Sequence, residues 1–371
     1  MALAALSRPG PHGRHERLRS SCARQGSGTV ARPRRSIWGR AVVGLVGGFA
    51  LESTHATAAA TDTTGTGWSA YLRLARPKQW AKGVFVLVGP LYGAAEGKAV
   101  DWLVVALAVV AFGLASSGCY VVNDIRDRDA DRAHPRKRRR PIASGAVGVG
   151  AAWWYAGALL AASAAVGAVA ALGPPGPRGG WLLAAVGLYI VNVMLYSVSL
   201  KHVVIVDVLC LALGFCLRVL GGCAAGGVEP STWLLNVTLF AAMFLGFSKR
   251  LGERRGLAAA GADVAVTRQV QADYTNEVLR LALGLTAVAT LVTYAGYVQA
   301  RGDHFTATLG GWGFNLLWLS VPPAVLALLR AVVLVEKGKY DDPTELAWGD
   351  RGFQGAVLLF AATTALAIAA V

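Results

Sequence analysis

The chain has 371 residues, of which 55% are hydrophobic and only 15% charged, with a formal net charge of +15. Such a composition excludes an ordinary soluble globular protein and places the chain in a bilayer. The Arg/Lys excess fits cytoplasmic anchoring of a membrane protein better than a nucleic-acid footprint, so no nucleic-acid partner is expected.

Residues 1–66 form an Arg-rich tail with nine arginines, scattered Gly, Ser and Thr, and one short apolar stretch over 41–51, and are expected to be disordered. Arg34 and Arg35 before that stretch, with Ala-Thr-Ala-Ala-Ala after it, have the look of a secretory or twin-arginine signal. Export would carry Arg73, Arg76, Lys78 and Lys82 outward, against the orientation reached below. A cytosolic tail, or a start codon assigned too far upstream, is the reading preferred. Residues 67–371 then make one all-α polytopic membrane domain that carries the site.

Nine apolar segments follow, at about 83–96, 101–122, 147–171, 181–199, 203–224, 232–247, 278–299, 312–335 and 352–371. Most approach the ~20 residues that a helix needs to cross hydrocarbon, where each backbone N–H and C=O must be satisfied within its own segment. With the start of the first span on the cytosolic side, alternation makes the loops at 123–146, 199–203, 248–277 and 336–351 cytosolic, and these are the charged ones. The opposite loops, such as 173–180 and 226–231, are short and nearly uncharged, so the positive-inside rule holds along the chain. The expectation is a multi-pass plasma-membrane protein with its site facing the cytoplasm. Cys22, Cys119, Cys210, Cys216 and Cys223 contain no C-x-x-C pair and read as small core residues. His134, His202 and His304 have no metal spacing and read as structural or interfacial.

The loop after the second segment carries the chemistry. It reads Asn123-Asp124-Ile-Arg-Asp127-Arg-Asp129-Ala-Asp131, then His134-Pro135 and the basic run Arg136-Lys137-Arg138-Arg139-Arg140 before Pro141-Ile142-Ala143-Ser144-Gly145. On a helix Asp124, Asp127 and Asp131 share one face, with Asn123 beside them, while Asp129 points away. Clustered carboxylates repel one another unless a divalent cation neutralises them, and oxygen donors of this kind suit Mg²⁺ bridging to phosphate oxygens. Asn123, Asp124, Asp127 and Asp131 are therefore the candidate metal ligands, and the three aspartates the candidate catalytic acids. A charge-mixed solvated loop is the bland alternative, but positive-inside anchoring requires Lys and Arg and leaves four acids at the mouth of an apolar bundle unexplained. The basic run has a plain role on anionic lipid headgroups; Lys137 and Arg140 are its candidate substrate contacts.

The pattern N-D-x-x-D-x-x-x-D followed by R-P-I-x-x-G resembles the first aspartate-rich motif of the UbiA superfamily of intramembrane prenyltransferases, from about Tyr71 to the C-terminus. The resemblance implies a nine-helix UbiA-type bundle with cytosolic cap loops, a Mg²⁺-diphosphate in a cavity beneath those caps, and a polyprenyl chain among the helices. The family's usual second aspartate motif is missing: Lys249 and Arg250 stand in Gly246-Phe247-Ser248-Lys249-Arg250, where carboxylates would be needed. That departure, with Arg76-Pro77-Lys78-Gln79-Trp80-Ala81-Lys82, Tyr196-Ser-Val-Ser-Leu-Lys201-His202, Asp207-Val208 and Gly214-Phe215-Cys216-Leu217-Arg218, is similar to the branch that transfers phosphoribosyl groups to decaprenyl phosphate for cell-wall arabinan synthesis.

The implied reactants, phosphoribosyl diphosphate (PRPP) and a polyprenyl phosphate, carry three anionic groups and require cations away from the metal. Arg76, Lys82, Lys201, Arg218, Lys249 and Arg250, with Tyr196 and Asp207, are the candidate substrate contacts. Snorkelling toward headgroups accounts for several of these equally well, Lys201 and Arg250 above all. Arg218 lies deep in its segment, where an uncompensated guanidinium costs several kcal/mol unless it meets an anion or a wet cavity. The rival readings are prenyl transfer from a diphosphate to an aromatic acceptor, and a transporter with Arg218 and Asp207 along a permeation path, although no inverted repeat is visible. The segment from Asp341-Asp342-Pro343-Thr344-Glu345 to Asp350-Arg351 reads as a lid or helix cap. Membrane lipid is an expected partner, and homo-oligomerisation is left open.

Overall fold

The computed structural model describes residues 67–133, 137–173, 178–259, 274–309, 311–338 and 349–370. The predicted tail, His134 and the acids at 341, 342 and 345 lie outside the described residues. The described residues are helical almost throughout: α1 (Trp68–Ala75), α2 (Val84–Ala95), α3 (Trp102–Arg126), α4 (Arg128–Ala133), α5 (Val149–Ala171), α6 (Arg178–Val198), α7 (Val206–Gly226), α8 (Thr232–Ala259), α9 (Asn276–Ala300), α10 (Gly302–Phe305), α11 (Val321–Glu336) and α12 (Arg351–Ala369). Among the described residues, eight helices are long and apolar enough to cross a membrane.

The first predicted crossing is a composite. Pro90 lies inside α2, which at 12 residues reaches only ~18 Å. A 3₁₀ stretch, Pro77–Gly83, leads directly into it and brings the pair near the ~30 Å of the hydrocarbon core. The predicted span at 312–335 starts later than expected. Before it, Thr306–Leu309 and Trp312–Asn315 form an antiparallel hairpin, and the apolar run begins at Leu316. A run of apolar residues does not separate a short strand from a helix; here Gly311, at φ +87°, turns the chain back on itself.

Helix starts are set by local chemistry. Asp101 accepts from the amides of Leu103 and Val104, Thr275 from Val278, and Asp350 from Phe353, in each case pairing donors that the first turn leaves without partners. Asp350 is also gripped by Arg330 through two 3.0 Å bonds; of the segment expected to be a lid or helix cap, this residue caps α12, and 341–348 lie outside the described residues. Along α9, Leu281, Leu285, Val288 and Val292 are all exposed at helical spacing, the stripe that a membrane helix turns to lipid. Close packing depends on small residues: a Cβ at Gly222 of α7 would overlap the Val86 carbonyl of α2. Dominant helix pairs are α3 with α5, α6 with α7, and α8 with α9. The charged side chains considered below come from the end of α3, from α4, from the 3₁₀ turns at Pro77–Gly83, Lys137–Arg139 and Leu200–His202 and the residues beside them, and from α7 and α8.

Candidate active site

The last turn of α3 delivers Asn123 and Asp124, and α4 follows almost without a break. Asp127 N donates to Asn123 O at 2.9 Å and Asp131 N to Asp127 O at 2.8 Å, so helical spacing survives the junction. Asp124, Asp127 and Asp131 accordingly share a face, while Asp129 is 91% exposed and lies 3.9 Å from Arg132. The C-terminal end of a helix is a poor place for anions, because the macrodipole is negative there. Cations drawn from distant segments offset this. Arg76 donates to Asp124 Oδ1 at 2.5 Å, Arg140 to the same oxygen at 3.1 Å and to Asp131 Oδ2 at 2.7 Å, and Lys201 to Asp127 Oδ1 at 2.5 Å. Asn123 Nδ2 completes the set with a 2.9 Å bond to Asp127 Oδ2. Arg76 is held at φ +51°, between α1 and the 3₁₀ stretch, with its guanidinium over the Tyr120 ring.

Several of these residues border a cavity of about 370 Å³ between α3, α6 and α7. Asn123, Asp127 and Asp131 line one part of its wall, with Arg76, Lys137, Arg140 and Lys201 around them. Lys82 also lines it, donating to Tyr120 Oη at 3.3 Å. Deeper in, Arg218 is 5% exposed. It donates to Ser116 Oγ at 2.9 Å, Tyr189 Oη at 2.7 Å and Gly214 O at 3.0 Å, and its guanidinium lies 4.3 Å from the centre of the Tyr189 ring. All of these partners are neutral; among the described residues no acid lies within 4 Å of it. Asn192 marks the same depth on α6, bonded to Cys210 O at 2.8 Å.

The donor set can be weighed against Mg²⁺. Among the described residues, no three acid, His or Cys side chains converge closely enough to hold an ion by themselves. Mg²⁺ seldom uses such a cage; it keeps waters, takes one or two carboxylates and completes its shell with substrate phosphate oxygens. Asp127 and Asp131, with the Asn123 amide oxygen, offer that partial, all-oxygen set on the cavity wall. The chemistry of the residues therefore fits the ion. Asp124 stands apart: it is 2% exposed, does not line the cavity, and anchors Arg76 and Arg140.

Residues 83–353 match the UbiA prenyltransferase family. The chain belongs to that family. Over 288 residues it is 34% identical to a decaprenyl-phosphate phosphoribosyltransferase of Corynebacterium glutamicum, covering 76% of this chain and 82% of that one. The enzyme of the same description from Mycolicibacterium smegmatis is 32% identical over 331 residues, covering 86% and 99%. Among solved structures, a UbiA homolog from Archaeoglobus fulgidus bound to DMAPP and Mg²⁺ superposes with a TM-score of 0.56 at 20% identity, covering 81% of this chain and 99% of that chain. The fold is thus UbiA-like, and the protein is a multi-pass membrane transferase.

Within this UbiA-type frame, the sequence-derived residues divide into two groups. Arg76, Lys82, Asn123, Asp127, Asp131, Lys137, Arg140, Tyr196, Lys201 and Arg218 border the cavity. Asp207 and Arg250, expected among the substrate contacts, do not: they form a buried ion pair at 2.8 Å behind the wall, because each charge finds its counter-charge inside the protein. Lys249 is half-buried on α8 and also lies off the cavity lining. His202, read as structural or interfacial, lines the cavity. Ser116, Tyr120, Tyr189 and Asn192 were not singled out from sequence. The available signal was polarity inside apolar spans, since Tyr189 and Asn192 are spaced i, i+3 on α6.

Proposed function

We propose that this protein transfers the 5-phosphoribosyl group of PRPP to a polyprenyl phosphate, of decaprenyl type, and releases diphosphate, with the cavity opening to the cytoplasm. The observation that carries this reading is Arg218. Its partner Ser116 lies eleven residues before Asp127 on α3, roughly 16 Å along the helix axis. One cavity thus has an acidic, metal-compatible wall near its mouth and an uncompensated cation deep within. A prenyl diphosphate has a single charged end and would set an uncharged chain against that guanidinium. A donor and an acceptor that both carry phosphate use both regions. The names of the bacterial relatives agree with this choice, and the charged loops at the cavity mouth support the cytoplasmic orientation.

Asn123, Asp127 and Asp131 would hold Mg²⁺, which would neutralise charge on the diphosphate leaving group. The remaining work belongs to the chain. Lys201 and Arg140, already placed against Asp127 and Asp131, add cationic contacts to the same diphosphate. An oxygen of the lipid phosphate forms the new bond to C1 of the ribose as the C1–O bond to diphosphate breaks. The acceptor is ionised beforehand, so no general base is needed, and alignment is the main contribution of the site.

Membranes bearing the protein, incubated separately with labelled PRPP plus polyprenyl phosphate and with a labelled prenyl diphosphate plus an aromatic acceptor, test the reading. Label should enter lipid from PRPP alone. Consumption of the prenyl diphosphate instead would overturn the substrate assignment.

A further inference from the structure

Ile205 precedes α7 with φ +69°; with Arg76 it is one of two non-glycine residues among the described ones with positive φ. A β-branched side chain rarely takes that conformation, and it persists only where its surroundings impose it. Packing does not impose it, because Ile205 is 50% exposed and its neighbour Val203 is 47% exposed. Hydrogen bonds hold it: Asp207 N donates to Val203 O across the turn at 3.0 Å, and a side chain from outside the turn adds a further bond. Ile205 N donates to Tyr274 Oη at 2.6 Å, and the same hydroxyl donates to Asp207 Oδ1 at 2.7 Å. Asp207 is fixed in turn by Arg250 Nε on its other oxygen.

Tyr274 is well placed to act as an anchor. It immediately precedes Thr275, the cap of α9, and its buried ring packs edge-on to Phe247 among Val208, Leu251 and Leu279. Burial, with Asp207 alongside, raises the phenol's pKa, so it remains a donor across the physiological range. The turn that ends at Ile205 begins after α6 and contains the 3₁₀ residues Leu200–His202. From that turn Lys201 reaches Asp127 and His202 reaches the cavity wall.

We propose that Tyr274 is a positioning residue: its hydroxyl locks the Ile205 turn and thereby sets Lys201 against Asp127 at the cavity mouth. This rests on the reading above only in taking Lys201 to serve the diphosphate. Asp207, paired with Arg250, holds the far side of that hydroxyl, while Arg250 itself also donates to the cavity-lining Tyr196 at 3.4 Å.

The test is a double-mutant cycle on the full chain in membranes, with Tyr274→Phe, Lys201→Gln and the double variant assayed for kcat/KM toward whichever diphosphate donor the wild type turns over. That choice separates failure of the clamp from failure of the PRPP assignment. Phe keeps the ring and its packing, and the yield and thermal unfolding of the purified protein are followed in parallel. Tyr274→Phe should lower kcat/KM about tenfold at near wild-type yield, and the double variant should fall within about twofold of Lys201→Gln alone. Multiplying losses in the double variant would overturn the proposal, as would wild-type kinetics for Tyr274→Phe. A loss confined to yield and thermal stability would likewise show a purely structural tyrosine.

Discussion

Arg218→Gln should lower affinity for an anionic reactant without destabilising the protein, a pairing that few buried substitutions share. In the native protein the guanidinium is held by Ser116, Tyr189 and the Gly214 carbonyl, with no acid nearby among the described residues. Once it is removed, Ser116 Oγ and Tyr189 Oη still face each other at 3.0 Å, and Ser116 keeps its 2.7 Å bond to Phe112 O. No buried polar group is stranded, and the desolvation cost of an unpaired cation disappears, so thermal stability should be unchanged or slightly higher. Binding moves the other way. A charge-assisted hydrogen bond contributes ~1.5 to 3 kcal/mol, which corresponds to an apparent KM raised roughly ten- to a hundredfold for PRPP or for the lipid phosphate. Steady-state kinetics against each reactant, with Mg²⁺ titrated alongside, should show that increase for one of them and an unchanged Mg²⁺ requirement. Unaltered KM values with a lowered unfolding temperature would refute the argument and make Arg218 a structural arginine.

The acidic wall yields a sharper contrast: Asp127→Ala and Asp131→Ala should abolish turnover with little loss of folded protein, whereas Asp129→Ala, at a 91% exposed position, should keep most activity. Equal loss at all three would dissolve the helical-face argument. Chelation of Mg²⁺ should stop the wild-type reaction and readdition restore it; turnover unaffected by a chelator would remove the metal from the reading. Gly222→Val should lower the unfolding temperature in detergent, by an amount equivalent to about 1–3 kcal/mol or more, since its Cβ has no space against the Val86 backbone. Deletion of residues 1–65 should leave insertion and activity intact, and an inverted or inactive product would make that tail a targeting element.

The membrane class, the crossings and the acidic motif were legible in the chain because each rests on local physics. Hydrocarbon forces every span to satisfy its own backbone, so the length and polarity of a segment identify it. The spacing of Asp124, Asp127 and Asp131 puts them on one face whatever surrounds them, and the junction at Asp127 preserves that register. Partnership is not local. Arg76 and Asp124 are separated by 48 residues, Lys201 and Asp127 by 74, and Arg218 and Ser116 by 102, and sequence position does not report which cation meets which acid. It was folding that turned Asp207 and Arg250 toward each other and away from the cavity, and left Arg218 facing it with neutral partners. A charged residue within an apolar segment declares in sequence only that it must be compensated. Whether the compensation comes from the protein itself or is left for a ligand is fixed by how α3, α6, α7 and α8 pack together.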